Sequence, residues 1–497
     1  MNILLMAMPD VSPGYSPIIA MAPNLGLQSI AGNLNEIHRV KITDLVLKRK
    51  NVKKAIIESL RKTQPDVVGL SVMTFQYDTS VKIAKFIKSL NSNIKIALGG
   101  YHATLLYKEI ADSKDSEYFD FIFRGESDLS FNETINKLED GRDLETVLGL
   151  SFKRNGKFIH NKNRNIENLN QIKLPDRNVG LWGCSNVVGV PAGLIESSRG
   201  CFMSCNFCNI RNMYGKTFRT YEIQRVMRDL ENAKRSGIRI LLFADDNITL
   251  NINRFEHLCD EIIENGYDDL IYFTQASSLG ISSSERLVEK MSKAGFKLVF
   301  LGIENASKEN LKQLNKEDTV NSSVQAVKFL QNNGILISAG LIVGNPNDDY
   351  QSIKETFEFA SKLKVDFAGN QILVPYPKTE IRDKLLKAGL LTNIDNYKVY
   401  NGDFANVRTK YLSDKQLSFI KYKLSKKYFK TRKIRVLNAI MKNKQSFLIF
   451  FNRKIIKLIF SSLSSVLLEK IKRLYMTEEQ IFYQYLNNET KLNEFNL

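Results

Sequence analysis

Three cysteines lie within eight residues of one another near the middle of the chain, at Cys201, Cys205 and Cys208. They directly follow an apolar run that ends in Ser198-Arg-Gly200. Thiolates at this spacing can hold one face of a small iron–sulfur cube. Because three thiolates leave one iron without a protein ligand, that iron can bind a small molecule, and the cluster can then do chemistry rather than only support the fold.

Zinc is the alternative use of clustered cysteines. A closed structural zinc site needs four ligands, and neither Cys184 nor Cys259 has the paired spacing of a zinc ribbon. A disulfide framework is disfavoured as well, because the chain has only 5 Cys in 497 residues and no secretory signal. The thiols therefore favour an iron–sulfur site in a reducing cytoplasm.

The cysteine loop follows the first strand of a predicted βα series. Short apolar runs alternate with segments whose apolar residues repeat at helical spacing, such as 221–236 and 284–294. Six such units predict an open, partial (β/α)6 barrel of the TIM type. The predicted strands are 194–198, 240–244, 271–276, 297–302, 335–341 and 371–374.

An earlier βα series occupies the first 140 residues. It predicts a doubly wound, Rossmann-like parallel sheet, whose ligand would lie beyond the carboxyl ends of the strands. Glycines in the loops there would let the backbone approach a large planar or phosphate-bearing ligand. A nicotinamide site is disfavoured because no GxGxxG opens the first helix. The predicted strands are 3–7, 40–43, 67–71, 94–98 and 119–123.

The sequence therefore predicts an α/β protein of four regions. Residues 1–140 form the doubly wound domain, 141–190 a connecting segment with a weaker pattern, 191–392 the barrel, and 393–497 a basic helical region. Residues 401–497 contain 20 Lys and Arg against 7 Asp and Glu, and so carry 13 of the 18 net positive charges. Such a block indicates an anionic partner.

A membrane surface is the favoured partner of this basic region. Residues 447–460 combine Phe, Leu and Ile with Arg and Lys, which is typical of an interfacial helix, although a helix packed on the barrel would show the same pattern. No Asp or Glu occurs between Lys415 and Leu468, which favours peripheral contact with the inner face of an anionic membrane. Nucleic acid is disfavoured because no RNA- or DNA-binding motif is present. No run of 18 apolar residues predicts a spanning helix.

The CxxxCxxC motif after the first strand of a βα series resembles the signature of the radical S-adenosylmethionine (SAM) superfamily, over about 200 residues. The resemblance implies that Cys201, Cys205 and Cys208 hold a [4Fe–4S] cluster. It also implies that SAM binds the open iron and is cleaved to a 5′-deoxyadenosyl radical. Three later loops, 243–247, 301–304 and 341–346, resemble the SAM-facing loops of the family.

The same resemblance implies SAM-site roles for side chains in these loops and beside the cluster loop. Each residue also has a plain structural reading. The two acids after the second barrel strand could cap the next helix, Glu304 could be an exposed carboxylate, and Arg219 could pair with a carboxylate or begin a helix in solvent. The implied residues are Arg219, Asp245, Asp246, Glu304 and Gly344.

The first 140 residues resemble the cobalamin-binding domain that precedes many radical SAM cores. Gly99-Gly-Tyr-His-Ala-Thr104 and Arg124-Gly-Glu126 carry this resemblance. The DxHxxG motif that supplies an axial histidine in methionine-synthase-like domains is missing, because the loop after the first strand has no His. His102 could instead bond the corrin side chains or pack at a helix start. The implied cobalamin-binding residues are Ser71, Thr74, Gly99, Gly100, His102, Ala103, Thr104, Gly125 and Glu126.

Together the two resemblances imply a cobalamin-dependent radical SAM enzyme that methylates an unactivated carbon. Its implied cofactors are a [4Fe–4S] cluster, SAM and cobalamin. Its expected partners are a small-molecule or lipid-like substrate and a low-potential electron donor, either flavodoxin or ferredoxin. Two alternatives stay open: a cyclase or rearrangement enzyme without methyl transfer, and a non-catalytic cobalamin or iron–sulfur binding protein.

Overall fold

Two seven-stranded sheets, each covered by helices, form the body of the molecule. The computed structural model describes residues 1–11, 23–183, 185–187, 190–316, 319–429, 476–492 and 494–495. The first sheet has the strand order β2-β1-β3-β4-β5-β6-β7. Its strands are β1 (Asn2–Ala7), β2 (Arg39–Asp44), β3 (Val67–Ser71), β4 (Lys95–Gly99), β5 (Phe121–Phe123), β6 (Leu150–Arg154) and β7 (Lys157–His160).

The first five strands are parallel, and helices cover both faces of the sheet. Successive side chains of a strand point to opposite faces, so in β1 Leu4 and Met6 pack into one core and Ile3 and Leu5 into another. The helices are α1 (Leu25–Asn33), α2 (Val52–Thr63), α3 (Tyr77–Leu90), α4 (Tyr101–Asp112) and α5 (Asp128–Glu139). β2 is added on one side of β1, and β3 to β5 are added on the other side. This change of side between β1 and β3 creates a crevice at the carboxyl ends of these two strands.

The connecting segment contains a hairpin, β6–β7, that the weak sequence pattern did not predict. β6 pairs antiparallel with β5, and β7 pairs antiparallel with β6. Only the β6 residues Leu150, Ser151 and Phe152 are buried, so no long apolar run marks this hairpin. The segment therefore extends the first sheet before the chain passes to the second.

The second sheet has six consecutive parallel strands in sequential order, with β8 antiparallel at one edge. The sheet curls into a half-barrel. Its strands are β8 (Asn186–Val187), β9 (Val190–Ile195), β12 (Ile240–Phe243), β13 (Ile271–Ser277), β14 (Phe296–Glu304), β15 (Leu336–Val343) and β16 (Phe367–Ile372), and a separate ribbon pairs β10 (Ser198–Arg199) with β11 (Arg219–Thr220). The sixth parallel strand begins at Phe367 rather than at the predicted residue 371, because the apolar run 371–374 continues past the strand into a buried turn.

Helices cover the outer face of the half-barrel around one continuous core. They are α6 (Ile210–Tyr214), α7 (Ile223–Arg235), α8 (Ile252–Glu264), α9 (Ser278–Ser282), α10 (Glu285–Lys293), α11 (Lys308–Gln313), α12 (Val320–Asn332), α13 (Tyr350–Lys362) and α14 (Glu380–Lys387). Two C-terminal helices follow, α15 (Asp414–Phe429) and α16 (Glu478–Leu492). The predicted fold class, a doubly wound domain, a partial barrel and a helical C-terminal region, is confirmed.

The interfacial helix predicted at 447–460 lies outside the described residues. Among the helices that are described, none is both long and apolar enough to cross a bilayer.

Candidate functional site

A cavity of about 580 Å³ lies where the carboxyl ends of the first sheet meet the half-barrel. Both parts of the molecule contribute to its wall. The first domain supplies Asp10, Ser71, Gly99, Gly100, Tyr101, Gly125 and Glu126, and the barrel side supplies Glu196, Arg199, Met213, Tyr214, Ala244 and Asp246. The structure thus brings the glycine loops of the first domain and one predicted barrel residue, Asp246, to the same cavity. The other predicted barrel-side residues lie outside this wall: Cys201, Cys205, Cys208, Arg219, Asp245, Glu304 and Gly344.

The cysteine loop runs between β10 and α6. Cys201, Cys205 and Cys208 are half-buried free thiols. Polar side chains anchor the loop: Asn206 donates to the carbonyl of Gln313 at 2.6 Å, and Asn315 donates to the carbonyl of Ser204 at 2.6 Å. Three thiols are therefore held on a short, tethered loop at the end of the first barrel strands.

The donor set fits an iron–sulfur cube. No three His, Cys, Asp or Glu side chains within the described part of the chain converge as ligands of a single ion. A cube does not require that convergence, because each thiolate binds a different iron. Burial raises the pKa of Cys205, and the neighbouring Lys316 ammonium opposes that shift. Bound iron would deprotonate the thiols outright, and Lys316 would offset part of the resulting negative charge.

The two acids that follow β12 have different environments. Asp245 is fully buried and accepts hydrogen bonds from the backbone N–H of Ser197 at 3.0 Å and from its hydroxyl at 2.6 Å. Asp246 lines the cavity and accepts from the N–H of Gly200 at 2.9 Å. Burial raises the pKa of Asp246 to about 7, against that hydrogen bond. Neither acid caps the next helix, since Asn251 is the N-cap of α8.

The predicted loops after β14 and β15 are each closed by a polar partner. Glu304 adopts a left-handed conformation with φ of 64° and forms an ion pair of 2.8 Å with Lys316, which sequence reasoning missed. Gly344 has φ of 87° and donates its N–H to Asp348 at 2.8 Å. A side chain on Gly344 would meet Leu417 at 2.8 Å, so only glycine fits this turn.

Five of the nine predicted residues of the first domain line the cavity: Ser71, Gly99, Gly100, Gly125 and Glu126. Thr104 supports them, because its hydroxyl donates to the carbonyl of Gly100 at 2.9 Å and accepts from the N–H of Gly125 at 3.0 Å. A Cβ on Gly125 would meet no atom within 4 Å, so the glycine leaves open space beside the cavity. This wall suits a large cofactor.

The other three predicted residues, Thr74, His102 and Ala103, are buried and lie behind the cavity wall. The His102 ring lies between the rings of Tyr77 and Tyr397, with centroid separations of 4.4 Å and 5.0 Å. Burial lowers the pKa of His102 to about 3. The residue is therefore a neutral, packed histidine rather than a cavity-facing one.

Two aspartates in the cavity wall were not predicted from the sequence. Asp10 accepts a hydrogen bond from Thr79 at 2.7 Å, while its Oδ2 atom is buried without a hydrogen-bond partner. Burial raises the pKa of Asp10 to about 7 and that of Asp44 to about 6. A signal for Asp10 was present, since it follows a buried strand at the end where ligands bind.

A pair of tyrosines lines the cavity from its two sides. Tyr101 begins α4 in the first domain, and Tyr214 ends α6 after the cysteine loop. Burial raises the pKa of both phenol groups. Two neutral phenols therefore face the cavity between the glycine loops and the cysteine loop.

Comparison with known proteins agrees with this division of the wall. The model of the Radical SAM superfamily matches residues 195–360, and that of the B12 binding domain matches residues 20–135. An uncharacterized methyltransferase of Pyrococcus horikoshii is 30% identical over 420 residues, which are 84% of this chain and 90% of the relative. The chain belongs to the cobalamin-dependent radical SAM family. It is an enzyme, and the cofactors of the family are a [4Fe–4S] cluster, SAM and cobalamin.

More distant members of the family share the same arrangement. The anaerobic magnesium-protoporphyrin IX monomethyl ester cyclase of Rubrivivax gelatinosus is 25% identical over 69% of this chain and 62% of its own length. The solved structure of the radical SAM methyltransferase TsrM from Kitasatospora setae, with cobalamin and a [4Fe–4S] cluster bound, matches with a TM-score of 0.64 at 17% identity over 78% of both chains. The structural match supports the fold of this family member.

Proposed function

We propose that this radical SAM enzyme methylates an unactivated carbon of a small-molecule substrate. In this proposal residues 1–140 hold cobalamin and residues 191–392 hold the cluster and SAM. When bound, the cluster supplies the electron that cleaves SAM to a 5′-deoxyadenosyl radical, and methylcobalamin supplies the methyl group. Each turnover would use two SAM molecules. One would yield methionine and 5′-deoxyadenosine. The other would give its methyl group to cobalamin and leave as S-adenosylhomocysteine.

One observation carries the proposal: a single cavity is bounded both by the glycine loops of the B12-binding domain and by residues beside the cysteine loop. Cofactors held at the two walls would share that space. Cys201, Cys205 and Cys208 would bind the cluster, and Asp246 and Glu304 would accept hydrogen bonds from SAM. Holding reactants together in a site that excludes water removes the entropic cost of their encounter and protects the radical.

The backbone of the first domain would hold the corrin ring. Gly99, Gly100 and Gly125 present no side chains to the cavity, and Ser71 and Asp10 offer polar groups there. The Asp10 Oδ2 atom, buried and without a partner, would accept a hydrogen bond from an amide of cobalamin. No histidine of the described residues lines the cavity, so an axial imidazole from this wall is not part of the proposal.

An anaerobic assay tests the proposal. Reconstituted protein is incubated with SAM, methylcobalamin and a low-potential reductant, and the products are separated by chromatography. Formation of both 5′-deoxyadenosine and S-adenosylhomocysteine supports methylation. Formation of neither product would reject the proposal and leave a non-catalytic binding protein.

The second candidate function is cyclisation or rearrangement without methyl transfer. It is favoured by the similarity to the magnesium-protoporphyrin cyclase, whose length this chain covers to 62%. The two functions share the same cofactors and cavity wall. The same assay separates them, because a cyclase would form 5′-deoxyadenosine without S-adenosylhomocysteine.

The partners and the location are proposed from the sequence. Each turnover needs electrons at low potential, which a flavodoxin or ferredoxin of the cytoplasm would supply. The basic, acid-free stretch favours peripheral contact with an anionic membrane and, with it, a lipid-like substrate. Removing residues after 440 should abolish sedimentation of the protein with phosphatidylglycerol vesicles. The same truncation should not change how much protein sediments with phosphatidylcholine vesicles. Equal sedimentation of the full and shortened chains with phosphatidylglycerol would reject membrane contact.

A further inference from the structure

A buried network of charged side chains joins the two domains at the edge of the cavity. Arg199 donates from Nη1 to Glu126 at 3.1 Å and to Asp128 at 2.9 Å, both in the first domain. Its Nε atom donates to Glu196 of the barrel at 2.8 Å. Arg219 donates to the other carboxylate oxygen of Glu126 at 2.7 Å. One guanidinium group thus contacts both domains at once, and a second one completes the pairing of Glu126.

The network is buried, which sets it apart from the other ion pair between these domains. The side chains of Arg199 and Glu126 are each 8% exposed. Within the described part of the chain, the other ion pair that joins residues 1–140 to residues 191–392 is Lys378–Glu109, whose side chains are about half exposed. Exposed pairs contribute little free energy and little orientation, whereas a buried pair is broken only at a cost of several kcal/mol. Among the ion pairs between the two domains, the buried network is therefore the one suited to fixing their relative position.

Arg199 affects its carboxylate partners differently, because burial raises the pKa of Glu196 despite the nearby guanidinium, whereas the pKa of Asp128 is lowered. Burial disfavours a charged Asp128, but the charge and hydrogen bonds of Arg199 and the hydroxyl of Ser29 lower its pKa overall. Arg199 uses two different nitrogens of its planar group to reach carboxylates on opposite sides. A lysine ammonium carries the same charge but lacks this fixed fork.

The network lies next to the groups that would hold both cofactors. Arg199 is two residues before Cys201, and Gly200 between them is fixed, since its N–H is bonded to Asp246 and a Cβ would lie 2.4 Å from the carbonyl of Thr217. Glu126 directly follows Gly125 in the glycine wall. Any displacement of the first domain would therefore be transmitted to the first cysteine through a short, rigid segment.

We propose that Arg199 is a positioning residue that sets the distance between cobalamin in the first domain and SAM at the cluster, through Glu126 and Asp128. The inference rests on the proposed function, since it needs both cofactors to act in one cavity. Transfer of a methyl group from SAM to cobalamin depends on that distance, whereas reductive cleavage of SAM at the cluster does not. The ratio of S-adenosylhomocysteine to 5′-deoxyadenosine therefore reports the positioning.

The test compares Arg199→Lys, which keeps the charge, and Asp128→Asn, which keeps the shape of the other first-domain partner of Arg199 and is not assigned to a cofactor. Arg177→Lys is the matched control, because Arg177 forms an equally buried ion pair of 2.6 Å with Asp229 that does not involve the first domain. For each reconstituted protein we would measure iron, bound cobalamin, thermal unfolding and both products. Pulsed electron paramagnetic resonance would measure the dipolar coupling between the reduced cluster and the cobalt(II) form of cobalamin, which requires no turnover.

We expect both network variants to retain iron and cobalamin while the product ratio falls roughly 10- to 100-fold, as a misplacement of about 1 Å can produce. The dipolar coupling should change or broaden in the same two variants and stay as in wild type in Arg177→Lys. If Arg199→Lys loses its cluster, the product ratio and dipolar coupling of Asp128→Asn decide between the outcomes.

The proposal is overturned if Asp128→Asn keeps the wild-type ratio and coupling. It is also overturned if both variants lose a cofactor, because the network would then support folding rather than distance. Failure of the proposed function would be distinguishable from failure of this inference. In that case the wild-type protein itself would form neither product, or it would form only 5′-deoxyadenosine.

Discussion

The two sides of the cavity surround their acidic side chains differently. In the first domain Asp10 is buried and Asp44 half-buried, and desolvation raises their pKa to about 7 and about 6, although the charges of Arg49 and Lys398 partly oppose the shift at Asp10. On the barrel side burial raises the pKa of Asp246 to about 7 as well, but Glu304 is paired with Lys316. The first wall therefore favours neutral acids, whereas the barrel side combines one such acid with a charged pair.

This difference matches what each wall would bind. Cobalamin presents many neutral amide groups around its ring, and carboxyl groups near neutrality can donate to or accept from them. SAM has an ammonium, a carboxylate and a sulfonium, and a cluster with thiolate ligands is anionic. Such ligands need fixed countercharges in a site that excludes water. The comparison teaches that one cavity can serve two chemically different cofactors because each wall is built by a separate sheet.

The largest expected effect is the loss of SAM cleavage on the barrel side while cobalamin binding by the first domain is kept. Cys205→Ala removes a proposed cluster ligand and should reduce 5′-deoxyadenosine formation by more than about 100-fold, since even residues behind a metal ligand can cost that much. Iron analysis and product chromatography would show this loss. Cobalamin bound per chain should stay at the wild-type value, and a parallel loss of cobalamin would mean that the two walls do not act separately.

The raised pKa of Asp10 predicts a pH-dependent contribution of this residue to stability. The folded state holds this proton more tightly than the unfolded state, so its stabilising contribution is complete below about pH 4 and is lost as the pH rises through about 7. The shift corresponds to roughly 4 kcal/mol at most. Asp10→Asn should remove this pH dependence in urea unfolding of the cofactor-free protein.

The control for Asp10→Asn is Asp140→Asn, which changes an exposed carboxylate whose side chain is 53% accessible. Its unfolding free energy should follow wild type between pH 4 and pH 8. Parallel curves for wild type and Asp10→Asn would contradict the neutral character assigned to the first wall.

Substitutions at two glycines of the first wall distinguish an effect on stability from an effect on cobalamin binding. Gly100 has φ of 95° and ψ of −170°, and a Cβ would lie 2.7 Å from the carbonyl of Val72. Gly100→Ala should therefore lower the unfolding free energy by about 3 kcal/mol. Gly125→Ala, with φ of 65° and open space around a Cβ, should cost about 1 kcal/mol. Chemical denaturation measures both, and equal losses would contradict the difference.

The methyl group of Gly125→Ala should also weaken hydroxocobalamin binding, because it would occupy space beside the cavity. Absorbance titration of the folded variant measures this effect. Unchanged affinity would place the corrin ring away from Gly125.

The last expected effect concerns SAM. Glu304→Gln removes a charge that pairs with Lys316 and should weaken SAM binding about 10-fold, which corresponds to about 1.4 kcal/mol. Equilibrium dialysis against the reconstituted protein measures the affinity. Cobalamin affinity should not change. An equal loss of SAM affinity and cobalamin affinity would contradict the assignment of the two cofactors to separate walls.

Local sequence signals predicted most of the fold and the centre of the site. The spacing of the cysteines, the glycines after β4 and the acids after β12 are all contained in short segments, and each lies at the end of an apolar run. The β6–β7 hairpin lacked such a run. Phe367–Ile372 was displaced in the prediction for a similar reason, since Gly369 and Asn370 interrupt its apolar character.

Residues that act through distant partners could not be predicted. Lys316 has no motif around it. Arg199 precedes the cysteine motif and Asp10 follows a buried strand, but the partners that define their contacts, Asp128 and Thr79, lie about 70 residues away in the chain. His102 is a different case, because it does lie in a motif. Its glycine-rich context predicted a side chain that faces the ligand, but on the helix its ring packs against Tyr77. A motif fixes where a loop lies more reliably than where each side chain points.

The short helical turn Tyr397–Val399 leaves the barrel and returns to the first domain, where Tyr397 packs against His102. A fragment that ends at residue 140 would lack this cover and would place a normally sheltered histidine in contact with water. Cobalamin titrations on such a fragment would thus report on an altered surface, and the intact polypeptide is the proper subject for measuring how tightly the vitamin is held.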